Sequence, residues 1–468
     1  MKNVNKSPMI LTRRAFLQSA GALAGVSALG TLQGLGLSNA LAQAAPPSDY
    51  KALVCIFLFG GNDGNNLVIP RDNAAYNLYS TARGGTTNGG IAIPQAELVA
   101  INPRSTSAGY GMHPQFAPLK SVWDAGKLAV LCNVGPLVEP LTKSEYSQGS
   151  KARPDQLFSH SDQQAQWQAA ISDQAARTGW GGRLADVIDS QNGTNTLPMI
   201  ASIAGSAFFT IGNTPNTVAI PSTGTFGLSG FTTSAASTAR RNALRDLLLL
   251  NSSNEFVREA DDIFAQAIDS SNVINPVITG ATTSLNSLFP TPATSIGNQL
   301  LQVARLINAR AALGLKRQIF FVSLGGFDTH AGQINTQDGL FAQLAPAMKA
   351  FYDATVQMGV ADQVTTFTLS DFGRTLKLAS GGGSDHAWGN HHLIMGGSVR
   401  GGDFYGRYPD LTLGGPDDVS TNGRWLPGVS VDQYAATLSR WLGVAASDLP
   451  LVLPNIGRFA SSDLGFLA

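Results

Sequence analysis

The chain has 468 residues, with 31 basic and 31 acidic side chains and only 13 % charged residues. That balance lacks the basic footprint that nucleic-acid phosphates demand, and the length allows one large domain with insertions or two smaller ones. Fifty-one glycines alongside few lysines and glutamates point to tight turns and long surface loops rather than long solvated helices.

Lys2 and Lys6 lead into Leu11-Thr12-Arg13-Arg14-Ala15-Phe16-Leu17, a paired arginine followed by apolar residues, which is the pattern of a twin-arginine export address. Residues 20–37 carry no charge and are interrupted by five glycines. They are too weakly apolar for a membrane span, which wants about 20 strongly apolar residues. Ala40-Leu41-Ala42 supplies small residues at the spacing a signal peptidase reads, so residues 1–42 are expected to be removed. The mature chain, 43–468, is then mildly acidic. It is expected in the periplasm or beyond, with the twin-arginine translocase as its partner during export, no stable membrane anchor afterwards and no nucleic-acid partner.

Leu53 to Phe59 is an apolar run ending in Gly60-Gly61-Asn62-Asp63-Gly64, the signature of a strand buried on both faces and followed by a sharp loop. Leu128 to Val134, Ile319 to Leu324 and Val364 to Leu369 repeat that shape. Cys55 and Cys132 lie inside two of these runs and read as buried thiols, a disulfide being the alternative in an oxidising compartment. Helical spacing is expected over Pro114 to Ala125, Gln163 to Ala176, Leu184 to Ser190, Ala236 to Leu250, Asn254 to Ile268, Ser295 to Leu313 and Leu340 to Met358. The pattern is α/β, a mostly parallel sheet flanked by helices on both faces. Residues from about 192 to 294, rich in Ser, Thr, Ala and Gly, read as an inserted cap region of the single domain.

In such sheets, functional groups collect beyond the carboxyl ends of the strands. Asp63, Asp328 and Asp371 each follow one of the apolar runs. Carboxylates brought together raise one another's pKa unless a cation neutralises them, so a metal site is the expected resolution. The chain has only six histidines, and His330, His386, His391 and His392 lie close to these aspartates or to Asp385. Mixed imidazole and carboxylate donors suit Zn, Mn or Fe better than Mg or Ca. Of His391 and His392, at most one faces the site if the segment is extended, and His113 reads as a helix cap. Phe158-Ser159-His160-Ser161-Asp162 precedes a helix, where Ser159 or Ser161 is either a nucleophile or part of an ordinary N-cap. Arg374 either clamps an oxyanion or pairs with a carboxylate. No nucleophile elbow, P-loop, C-x-x-C or H-E-x-x-H motif is present.

Gly60-Gly61-Asn62-Asp63-Gly64, Ser159-His160, Gly326-Phe327-Asp328-Thr329-His330, Ser370-Asp371-Phe372-Gly373-Arg374-Thr375 and Asp385-His386, followed by Gly396-Gly397-Ser398-Val399-Arg400-Gly401-Gly402, together resemble an uncharacterised bacterial family, domain of unknown function 1501. The likeness covers nearly the whole mature chain. That family in turn looks like a remote branch of the alkaline phosphatase and sulfatase superfamily, which implies two metal ions beyond the strand ends of an α/β sheet. The resemblance implies that Asp63 and Asp371 serve the metal nearest the nucleophile. Phe372 stands where the superfamily has a further histidine ligand, a place His160 would take. Asp328, His330 and His386 are implied as ligands of the other metal, and Ser159 or Ser161 as the nucleophile by position alone. Two functions are therefore expected in competition. One is a metal-dependent hydrolase of phosphate or sulfate esters, acting on a small-molecule or polymer substrate. The other is a non-catalytic binding, structural or surface-assembly protein on the same scaffold.

Overall fold

The computed structural model describes residues 49–195, 197–214, 217–227, 234–248, 250, 254–280 and 283–468, so the expected leader lies outside the described residues. In chain order the strands are β1 (Lys51–Leu58), β2 (Val68–Pro70), β3 (Val99–Ile101), β4 (Tyr110–Met112), β5 (Leu128–Gly135), β6 (Ile200–Ser202), β7 (Thr217–Ala219), β8 (Arg317–Leu324), β9 (Val364–Ser370), β10 (Asn390–Gly396), β11 (Phe404–Tyr405) and β12 (Val429–Ser430).

Nine of these form one sheet in the order β11-β5-β10-β9-β1-β8-β6-β7, with β12 also paired to β5; β2, β4 and β3 form a small antiparallel sheet of their own. Every pairing in the main sheet is parallel except those of β10, which runs antiparallel between β9 and β5. Each of the four apolar runs is a strand, and three of them, β8-β1-β9, sit side by side at the centre.

Alternation along β1 explains why its sequence shows no polar face. Ala52, Val54, Ile56 and Leu58 point into one hydrophobic core, and Leu53, Cys55 and Phe57 into a second on the opposite face. The first core is closed by helices Ser295–Asn308 and Gln333–Gln357, the second by Trp180–Ile188 and Val431–Leu442. Cys55 and Cys132 are buried free thiols, one on β1 and one on β5.

Two of three departures from the expected elements share a physical cause, which is polar residues placed inside. The helix expected from Leu340 starts at Gln333, because its first two turns carry the buried Gln333 and Gln337. Strand β10 opens with buried Asn390, His391 and His392 and so carries no apolar signature. The helix expected over 163–176 spans His160–Ala169 and stops where Ala170 turns left-handed, at φ 50°, without a glycine to announce it. The 192–294 region begins inside the main sheet, since β6 pairs with β8, and Ile274 and Ile278 of helix Glu255–Thr279 join the first core. Among the described residues no helix is long and apolar enough to cross a membrane.

Candidate metal centre

Three loops leave the central strands at the same edge of the sheet, and their close approach begins with two glycines after β1. Gly60 has φ 112°, and a Cβ there would lie 2.4 Å from the amide nitrogen of Asp328. Gly61 has φ 79°, and a Cβ there would enter the Phe372 ring at 2.3 Å. Any side chain at either position would be strained in backbone and would push the loop after β1 away from those after β8 and β9.

The fourth contributor is the segment before helix His160–Ala169. Its Phe158 holds φ 74°, a conformation that costs a non-glycine residue on the order of 1 kcal/mol. It is held there at three points: its amide donates to Gln163 Oε1 at 2.8 Å, its carbonyl accepts from His386 Nδ1 at 2.7 Å, and its ring lies 4.4 Å from the Arg424 guanidinium carbon.

These loops bring together His160, Asp328, His330 and His386. The ligating atoms of His160, Asp328 and His386 all lie within 4.8 Å of one another. His330 Nε2 is 3.0 Å from Asp328 Oδ1 and 2.9 Å from His386 Nε2. The remaining ring nitrogens are tied back. His160 Nδ1 lies 2.7 Å from Asp371 Oδ2, His330 Nδ1 3.3 Å from Asp385 Oδ1, and His386 Nδ1 2.7 Å from the Phe158 carbonyl.

Carboxylates and carbonyls only accept hydrogen bonds, so a ring protonated at Nδ1 satisfies each of these contacts and leaves its Nε2 lone pair for a cation beside Asp328. The lone pairs of His160 and His386 and the Asp328 carboxylate then converge on one point, with His330 Nε2 beside them. His160 Nε2 is buried without a hydrogen bond, and the His330 and His386 Nε2 atoms lie 2.9 Å apart, a hydrogen bond when one of them carries the proton and two opposed lone pairs that a cation would relieve when neither does. This donor set fits a Zn, Mn or Fe ion, with Asp371, Asp385 and the Phe158 carbonyl as the outer partners that orient the imidazoles.

The electrostatics agree with that use. Burial pushes the Asp328 carboxyl up, but Arg374, which donates to Asp328 Oδ1 at 3.1 Å, together with His330 and His160 outweighs it and holds the group below the usual carboxylate range. Burial lowers the His386 imidazole, partly offset by its bond to Phe158, so it is neutral as a ligand must be. Asp328 is 46 % exposed and His330 47 %, which leaves the cluster open to solvent and to a ligand.

Other expected site residues stand elsewhere. Asp371 is not in the cluster but behind it: Oδ1 accepts from the Gly60 amide at 3.1 Å, and Oδ2 from His160 and from Gln164 Nε2 at 2.7 Å. Arg374 is not a free anion clamp. Fully buried, it binds the Gly60 carbonyl at 3.0 Å, the Ser384 carbonyl at 2.6 Å and Asp328, and so ties the three strand-end loops to one another.

Asp63 faces away from the cluster. Its carboxylate is buried against Arg83 and Gln333, and Oδ1 caps the short helix Gly64–Leu67 by accepting from Asn65 N at 3.0 Å. The guanidinium supplies the cation that a metal was expected to supply. Ser159 and Ser161 stand at the helix N-terminus beside His160, but both hydroxyls donate to Asp162 Oδ2, at 2.5 and 3.1 Å. Neither hydroxyl is hydrogen-bonded to a histidine that could serve as its base. Phe372 forms a wall under the site, its ring centroid 4.8 Å from that of His160 and 4.5 Å from that of His386.

His113 is the expected cap, with Nδ1 accepting from Gln115 N at 3.3 Å. His391 and His392 both pack inside the fold, one stacked on Tyr408 and the other edge-on to Trp167. Arg83, Gln164 and Gln333 were not legible as site residues, because no motif or spacing distinguishes them from surface polar residues.

Among solved structures, the chain is similar to a protein in the alkaline phosphatase superfamily from Vibrio parahaemolyticus, at 8 % identity and a TM-score of 0.37 over 87 % of this chain and 70 % of that one. It is also similar to the C-terminal periplasmic domain of EcEptC from Escherichia coli in complex with Zn, at 10 % identity and 0.34 over 88 % of each chain. The PsFucS1 sulfatase from Pseudoalteromonas sp. is similar at 12 % identity and 0.32, over 91 % of this chain and 72 % of that one. No curated protein matches the sequence. Residues 50–444 match the family described as "Protein of unknown function (DUF1501)".

Proposed function

The chain belongs to the DUF1501 family, and from that premise and the geometry of its site we propose that it is a metal-dependent hydrolase of phosphate or sulfate esters, exported through the twin-arginine route. The observation that carries the reading is the convergence of three imidazole Nε2 atoms on Asp328, each imidazole held from behind through Nδ1. A divalent ion there, Zn or Mn, would polarise an ester oxygen and lower the pKa of a bound water.

The protein's own part is to hold that donor set rigid and open. Asp371 and Gln164 fix one wall, the Phe158 carbonyl another, and Arg374 sets the carboxylate of Asp328. With Ser159 and Ser161 both engaged by Asp162, water is the nucleophile this arrangement favours.

A second reading is favoured by the same two serines and by Phe372, which puts an apolar wall where the resemblance calls for a ligand. In that reading, the scaffold keeps one ion for stability, or none, and binds without turnover. Elemental analysis of the mature protein beside Asp328→Ala and His386→Ala separates the two. Near-stoichiometric Zn, Mn or Fe, lost in both variants while the fold survives, supports a catalytic centre and directs a screen of phosphate and sulfate esters. A metal whose removal unfolds the chain supports the structural reading. No metal and no uptake on reconstitution sinks the hydrolase and leaves the binding or structural reading. Export is tested by replacing Arg13 and Arg14 with lysine, which is expected to keep the precursor in the cytoplasm.

A further inference from the structure

One cation beside the cluster has no anion of its own. Arg424 sits on a loop fixed by the buried Asp418, whose two oxygens accept from the amides of Gly414, Ser420, Gly423 and Arg424, each at 2.9 Å. Its side chain is aimed by two contacts. Nε donates to the carbonyl of His386 at 2.9 Å, and the guanidinium carbon lies 4.4 Å from the centroid of the Phe158 ring. Among the described residues neither Nη group makes a hydrogen bond or an ion pair, although the residue is half-buried.

The two residues that aim it are the metal-ligating His386 and the Phe158 whose carbonyl orients that histidine. A stacked guanidinium loses little freedom when it binds, and its planar fork matches the oxygens of a phosphate or sulfate.

We propose that Arg424 is a specificity-determining residue, the fork that takes a negatively charged oxygen of the ligand held at the His160, Asp328, His330 and His386 cluster. The proposal rests on the hydrolase reading for what lies at the cluster. It confines the ligand to oxyanions and excludes neutral carboxylic esters. Arg374 cannot do this work, because its own donors are spent inside the fold.

The test is calorimetric titration of inorganic phosphate, then inorganic sulfate, into the metal-loaded full-length mature protein, its Arg424→Met variant and its Arg424→Lys variant, with metal content and circular dichroism recorded for each. Arg424→Met keeps the apolar stem, and is expected to weaken anion binding roughly ten- to a hundredfold at unchanged metal content. Arg424→Lys is expected to recover part of that loss, since it keeps the charge but not the fork. Unaltered affinity in Arg424→Met overturns the proposal while leaving the metal centre intact, as does a wild-type protein that takes up metal but binds neither anion. A wild-type protein that takes up no metal sinks the hydrolase reading instead. In that case, anion binding that is lost in Arg424→Met still supports the fork, and no anion binding overturns it.

Discussion

Two loops leave neighbouring strands with spellings that differ at one position in four, Gly60-Gly61-Asn62-Asp63 after β1 and Gly325-Gly326-Phe327-Asp328 after β8, and they end in opposite environments. Asp63 is sealed, its side chain fully buried against Arg83. Asp328 is 46 % exposed and ringed by three imidazoles. The difference comes from what the rest of the chain delivers to each. Helix Gln333–Gln357 brings Gln333 and Gln337 down onto Asp63, and the turn after helix Asn73–Ala82 brings Arg83. The loop after β8 instead meets the segments carrying His160 and His386. One aspartate has become internal architecture and the other stands open among imidazoles, although each obeys the rule that polar groups gather beyond strand ends.

Acid should break the sealed side first. Burial lowers His113 to about 4 and both His391 and His392 to about 3, so all three are neutral in the folded protein at pH 5. In the unfolded chain they titrate near 6.5. Between those values the unfolded state holds about three more protons, and stability falls as pH drops. Asp432 works the other way, since burial raises it to about 7 and the folded state keeps a proton that the unfolded state has lost. The net difference is about two protons, or about 3 kcal/mol per pH unit at most between pH 6 and 4.5. Urea midpoints at pH 7, 6 and 5 check the slope; a flat profile would mean that these histidines are hydrated in solution.

The next largest effect separates the two aspartates directly. Asp63→Ala leaves Arg83 buried without its partner and is expected to cost about 3–5 kcal/mol of stability, while metal bound per folded molecule is unchanged. Asp328→Ala is expected to abolish metal uptake and to cost less stability than Asp63→Ala, because Asp328 is 46 % exposed and the buried Arg374 keeps the Gly60 and Ser384 carbonyls as acceptors. Denaturation of metal-free protein and elemental analysis read the two quantities separately. If Asp63→Ala stayed as stable as wild type but lost metal, the assignment of the two loops would be inverted.

The contrast also shows which features could be read from the sequence. The central strands were legible because burial on both faces writes an unbroken apolar run, and the cluster because Asp328, His330 and His386 sit in the loops that follow. Arg83 and Gln333 were not legible: a buried arginine and a buried glutamine look like surface residues until the partner that satisfies them is known. The role of Asp371 was half legible. Its position at a strand end marked it as functional, but only the direction of the His160 ring puts it one shell behind the cluster.

That shell offers a smaller, sharper test. Asp371→Asn keeps the shape but offers His160 Nδ1 a weaker acceptor, and is expected to lower metal affinity about 10- to 100-fold without abolishing it. Competition with a chelator measures the shift. Loss as complete as in Asp328→Ala would make Asp371 a direct ligand, and would require the His160 side chain to turn away on metal binding.

Ser159 should give the smallest change in stability and the clearest reading of chemistry. At the helix N-terminus its hydroxyl makes no cap bond to the backbone and donates to Asp162 instead. Ser159→Ala therefore removes no satisfied amide, and a change in stability within about 0.5 kcal/mol is expected. If water is the nucleophile, ester turnover in Ser159→Ala and Ser161→Ala stays within a fewfold of wild type, with an unaltered metal content. A fall of several orders of magnitude in one serine variant alone would identify that hydroxyl as the attacking group. It would have to leave Asp162 to reach the cluster, so the hydrogen bond at 2.5 Å would then belong to a resting state of the loop that also carries His160.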